Sequence, residues 1–184
     1  MGHRLVTTDG NGHQSTNHYD ADGNVDYTID ANSQRTNFTY DPAEQLTQTE
    51  RADSTSTSTN YWPDGSVKDQ INASSGDTHY TYDPLGHVAS VTDPDSRTTG
   101  YQYDALGNLL VKSDPGVSGC TTVSTTKGCT VYSYDAASER TASNYNDPAT
   151  PNVADAYDAN GRRNSMTDGT GTTTWAYDLS LIHI

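Results

Sequence analysis

The chain has 184 residues, a formal net charge of −14 and a hydrophobic content of only 31%. Ordinary soluble domains run at roughly 45–50% apolar, so a thick core is excluded. The acidic balance, with no basic cluster, argues against a phosphate backbone as partner. No stretch approaches the ~20 apolar residues of a membrane helix.

Two structural outcomes remain, disorder or a thin β structure. Thirteen Tyr accompany one Phe, two Trp and many Thr. Disordered chains lack aromatics, whereas Tyr, Thr and Val favour strands. The thin β structure is the better reading, with Tyr supplying most of the buried area.

In chain order, Met1 is followed by Gly-His-Arg-Leu-Val-Thr, which has no apolar signal-peptide region. Gly2 and Asp9 occupy positions that place residues 1–18 inside a truncated repeat. Tyr19, Tyr40, Tyr61, Tyr82 and Tyr103 then fall 21 residues apart, and Tyr134, Tyr157 and Tyr177 continue the series to residue 178. Asp follows as Asp20, Asp41, Asp83, Asp104, Asp135, Asp158 and Asp178; Trp62 is the exception. Gly closes the turn at Gly23, Gly65, Gly86, Gly107 and Gly161, while Glu44 and Ser138 break the rule. Asp can bond its own backbone two residues on, and Gly supplies positive φ.

A second turn is expected eleven residues after the Tyr, at Asp30, Asn72, Asp93, Asp114 and Asp168. Between turns the chain alternates with period two. Val25, Tyr27 and Ile29 are expected on one face, and the return runs Thr36-Phe38-Tyr40, Thr78-Tyr80-Tyr82 and Thr99-Tyr101-Tyr103. The tract Asp53–Asn60 is a polar strand or a flexible loop. The fold class expected is all-β, a one-layer curved sheet of tandem hairpins, each pair stabilised by its neighbours. Leu179–Ile184 departs from the pattern. It resembles a translated sequencing-library adapter, with a natural truncated strand as the alternative.

Little here suggests chemistry. Cys120 and Cys129 both lie in an insertion over 115–130. A disulfide there, requiring an oxidising compartment, is favoured over two free loop thiols and would staple a loop rather than hold the fold. Asp20, Asp22, Asn24 and Asp26 are spaced like the start of a calcium loop. Gly23 falls at the wrong position, however, and Ala31 stands where Glu should be, so turn chemistry explains them. His3, His13, His18, His79, His87 and His183 show no metal-ligand spacing. No nucleophile elbow or phosphate-cradling loop is present. The reading is therefore no enzyme, no metal and no cofactor.

The unit Tyr-Asp-x-x-Gly-x-(Leu/Val)…Thr-Asp-Pro…Thr-x-Tyr-x-Tyr-Asp resembles the YD repeat of the Rhs/teneurin superfamily. Its cleanest copy runs from Tyr82-Asp83-Pro84-Leu85-Gly86 through Thr92-Asp93-Pro94 to Tyr101-Gln102-Tyr103-Asp104. The resemblance implies a spiral β-shell that encloses a C-terminal toxin domain, as in Rhs polymorphic toxins and Tc toxin B/C components. It also implies a secreted or cell-surface bacterial location, with neighbouring repeats as intramolecular partners. The toxin members also cleave themselves by an aspartyl mechanism in a segment after the repeats; that segment is missing here, and no Asp of this chain is assigned the role. The alternative is a surface adhesion or carbohydrate-binding module, which would align exposed aromatic rings for cell-surface glycans.

Overall fold

The computed structural model describes residues 3–177, in which sixteen strands and no helix are found. The chain divides after Tyr80 into two compact units. The first carries β1 (Arg4–Thr8), β2 (Gln14–Tyr19), β3 (Val25–Ile29), β4 (Arg35–Tyr40), β5 (Leu46–Glu50), β6 (Ser56–Tyr61), β7 (Val67–Ile71) and most of β8 (Asp77–Tyr82). The second carries β9 (Val88–Thr92), β10 (Thr98–Tyr103), β11 (Leu109–Ser113), β12 (Cys129–Tyr134), β13 (Arg140–Asn144), β14 (Val153–Tyr157), β15 (Arg163–Asp168) and β16 (Gly171–Thr174). Within each unit every strand pairs antiparallel with the next in the chain. Each unit is thus a single layer of tandem hairpins. The 179–184 segment and Asp178 lie outside the described residues.

The turns work as local chemistry demands. Asp83 Oδ1 accepts the backbone N–H groups of Leu85 and His87, both at 2.9 Å, and Asp104 does the same for Leu106 and Asn108. A main-chain bond from Asp83 N to His87 O closes the loop at 2.9 Å. Gly86 then takes φ 87°, a conformation that costs L side chains roughly 1–2 kcal/mol. Glu44 and Ser138, which break the glycine rule, adopt the same left-handed conformation at φ 62°. The hydrogen bonds of the turn over-determine the backbone there, and the side chain bears the strain.

The second turns share this build with a different residue. Ser33, Ser54, Ser75 and Ser96 all stand at φ between 62° and 65°. One of these turns, opened by Arg51 N bonding Thr55 O at 2.9 Å, had no turn-forming residue at its first position. The polar tract after it is strand β6 rather than a flexible loop.

The expected face sharing of Val25 with Tyr27 and Ile29 is corrected by a bulge. Tyr19 pairs with Val25 and His18 with Tyr27, so a one-residue step on β2 is matched by a two-residue step on β3. Adjacent residues on β2 point to opposite faces, so Val25 and Tyr27 do too. The same irregularity recurs before Tyr40, Tyr61, Tyr103, Tyr134 and Tyr157. One face of each hairpin therefore carries the repeat Tyr, the residue two before it and the residue six after it.

Burial is sparse, as the composition requires. Among the described residues the buried hydrophobics are Val111, Cys120, Cys129 and Val131. Three of these cluster, with Leu110 and Val117 packed against them. Cys120 and Cys129 are joined, their Cα atoms 5.6 Å apart. Sequence reading puts this bridge within the 115–130 insertion, where it would staple a loop rather than hold the fold. Instead Cys129 is the fully buried first residue of β12, because the insertion turns back over the sheet and brings Cys120 against Val111.

Candidate functional site

With so little core, adjacent repeats must be joined by something else, and two ladders of side chains do it. The first is the tyrosine hydroxyl. Tyr40 Oη donates to the Val25 carbonyl at 3.0 Å and Tyr61 Oη to the Leu46 carbonyl at 2.8 Å. In the second unit, Tyr134, Tyr157 and Tyr177 donate to the carbonyls of Leu109, Arg140 and Arg163 at 3.0, 3.0 and 2.7 Å. Every acceptor is the residue six after the preceding repeat tyrosine, at the bulge, where the irregular ladder leaves a carbonyl turned toward the next hairpin. The ring lies half-buried on the sheet while its hydroxyl finds a polar partner, the division of labour tyrosine suits. Partial burial, the first cause in each case, raises the phenol pKa of Tyr40, Tyr103, Tyr134 and Tyr157.

The second ladder joins turn to turn. In four repeats the residue five after the Tyr reaches the closing residue of the next repeat's turn. Gln45 Nε2 donates to the Gly65 carbonyl at 3.0 Å, and Asn108 Nδ2 donates to Ser138 Oγ at 3.1 Å. His87 and Glu139 approach Gly107 and Gly161 so closely that an added Cβ would lie 3.1 Å and 2.6 Å from them. These two glycines thus meet two demands, positive φ and room for a neighbour's side chain. Sequence reading found only the first demand.

The repeat tolerates substitution by compensation. Where Trp62 replaces the turn Asp, Asp64 accepts both Ser66 N and Ser66 Oγ. Where Arg51 opens a second turn, Asp53 accepts Thr55 N and Thr55 Oγ in the same way. In β14 the aromatic position two before the Tyr holds Asp155, its side chain 1% exposed. Arg163 stands 3.4 Å from Asp155 Oδ1 and Arg140 stands 3.9 Å from Oδ2. Both arginines occupy the six-after position that holds Val25, Leu46, Val67, Val88 and Leu109 elsewhere. The two guanidiniums also lie over the rings of Trp175 and Tyr132, at 4.7 and 5.9 Å. An apolar contact has been exchanged for a charged one on matched positions.

The calcium candidates are engaged in local structure. Asp20 Oδ1 accepts the N–H groups of Asp22, Gly23 and Asn24, and Asp26 Oδ1 lies 2.6 Å from His18 Nδ1. Among the described residues no group of three or more His, Cys, Asp or Glu is disposed to hold a metal ion. Histidines that sequence reading left without a role are paired with carboxylates, His87 with Asp83 at 3.0 Å and His79 with Asp69. His18 and His87 also stack on Tyr27 and Tyr103 at 4.7 and 4.8 Å.

The fold and these ladders define a class, tandem β-hairpin repeats with tyrosines stitched from one repeat to the next within each unit. Residues 61–98 and 82–116 match the family described as RHS Repeat. No curated protein matches the sequence. Solved structures similar to it include TcdB2-TccC3, at 17% identity and TM-score 0.66 over 88% of this chain and 10% of that one. TcdB2-TccC3 without its hypervariable C-terminal region matches at 16% and 0.66, over 88% and 9%. A Photorhabdus luminescens Tc holotoxin pore matches at 15% and 0.66, over 91% and 10%. The likeness is one of fold, and the chain spans about a tenth of the length of these solved chains.

Proposed function

We propose that this chain is a non-catalytic wall segment of the β-shell of a secreted bacterial Rhs/YD polymorphic toxin, holding a C-terminal toxin domain apart from the cell that makes it. The observation that carries this reading is the tyrosine ladder. Five of the repeat tyrosines, Tyr40, Tyr61, Tyr134, Tyr157 and Tyr177, commit their hydroxyls to the neighbouring repeat, which serves wall integrity. The likeness in fold to TcdB2-TccC3 supports the same reading. A wall needs continuity and extent, which repetition supplies cheaply, and it needs no convergent catalytic group.

The adhesion alternative calls for exposed rings aligned for stacking on sugars. Of the eight repeat tyrosines only Tyr177 is exposed, at 43%. That observation favours the wall.

The test is recovery of the uninterrupted reading frame across both ends of this sequence, followed by expression of the full chain. Containment expects further repeats, then an unrelated C-terminal domain that resists added protease while the shell is intact. A frame that runs into a wall-sorting or membrane anchor without a toxin domain would overturn it.

A further inference from the structure

The 115–128 segment is held over β10–β12 by one covalent link and a few polar ones. Gly116 N donates to the Thr98 carbonyl at 3.0 Å, and Gln102 Nε2 donates to the Cys120 carbonyl at 2.7 Å. Asn146 Nδ2 donates to the carbonyls of Ser124 and Cys129, both at 2.8 Å, and Lys127 pairs with Asp147 at 3.2 Å. Its apolar hold on the sheet includes Val117 and Cys120, which pack in one small cluster with Val111, Cys129 and Leu110. Val123, at its far end, is 85% exposed. Beneath it lies a cavity of about 490 Å³, lined by uncharged residues including Thr98, Gln102, Ser113 and Val117. A segment over a cavity forfeits the close contacts that would otherwise hold it down.

The strands below carry backbone pairing of their own. β11 and β12 pair through Val111 with Val131, Lys112 with Thr130 and Ser113 with Cys129. We propose that the Cys120–Cys129 bond is a redox latch, which keeps the 115–128 segment closed as a flap over β10–β12 and releases it on reduction while the hairpins stay paired. The reductant is a dithiol. It supplies two electrons and two protons, the S–S bond breaks, each sulfur leaves as a thiol, and the reductant becomes its own cyclic disulfide. Because Cys129 is fully buried and Cys120 is 6% exposed, attack awaits a local opening of the flap.

Hydrogen exchange on the whole protein, before and after dithiothreitol and again after reoxidation, tests the latch. Amides of residues 117–127 are expected to exchange about tenfold faster once the thiols titrate as free, with those of Val111 and Val131 unchanged and the flap restored on reoxidation. Cys120→Ser is expected to show the open pattern without reductant. Two results overturn the proposal. Unchanged flap exchange after full reduction means that the hydrogen bonds alone suffice. Loss of protection at Val111 and Val131, by reduction or in Cys120→Ser, means that the bond holds the fold itself.

Discussion

Glu44 bears a strain that Gly86 does not, since both occupy the left-handed corner of the same turn. Replacing Glu44 with Gly relieves that strain, offset in part by greater freedom of the unfolded chain. A net gain of about 0.5–1 kcal/mol is expected, read as a raised urea midpoint. Gly86→Ala is expected to cost about 1 kcal/mol, because nothing lies within 4 Å of its added Cβ and the whole effect is conformational. Gly161→Ala carries the same conformational cost plus the smaller one of swinging aside the flexible end of Glu139, whose Oε1 would lie 2.6 Å from the added Cβ. If the two alanine variants fall equally, the turn-to-turn contact contributes nothing. The φ requirement at these glycines was legible in the Tyr-Asp-x-x-Gly spacing. The reach of a side chain from the previous repeat was not, because it joins residues about 20 apart that only the paired sheet brings together.

At the scale of the turn, carboxylates set the response to pH. Asp83 and Asp104 are held below the ordinary aspartate value of 3.8, first by side-chain hydrogen bonds from His87 and Asn108 and then by backbone N–H groups. A depressed carboxylate contributes stability above its unfolded pKa and loses it as pH falls through the folded value. The turns are therefore expected to loosen below about pH 4, seen as a falling melting temperature between pH 4 and pH 2. Glu139 has the opposite sign. Partial burial, then the charges of Asp135 and Asp158, raise it above 4.5. Its contribution is present below the unfolded pKa and lost as pH rises through the folded one. Glu139→Gln is thus expected to raise the melting temperature at pH 7 and to have no effect near pH 3; an equal effect at both would exclude charge as the cause. Hairpin order and turn positions were readable from sequence because local residues specify them. The bulge was not, since one unpaired residue changes which face Val25 occupies while leaving the pattern of apolar letters intact.

Across the molecule, cohesion has to come from contacts between neighbouring repeats, because the described residues bury only four hydrophobic side chains. In such an array stability is a sum of repeat terms and nearest-neighbour terms, so damage is felt locally before it is felt globally. The two tryptophans, Trp62 and Trp175, fall one in each compact unit and report on them separately. Removing one rung with Tyr61→Phe deletes the bond to the Leu46 carbonyl, at a net cost of about 1 kcal/mol. With a urea slope of roughly 1–3 kcal/mol per molar, that lowers the midpoint seen at Trp62 in a Trp175→Phe background by about 0.3–1 M. The midpoint seen at Trp175 in a Trp62→Phe background should move less. A nearest-neighbour ladder requires that asymmetry. Equal shifts at both reporters would instead describe one all-or-none body, in which the tyrosines act as a common core and the repeat is a pattern of sequence without being a unit of stability.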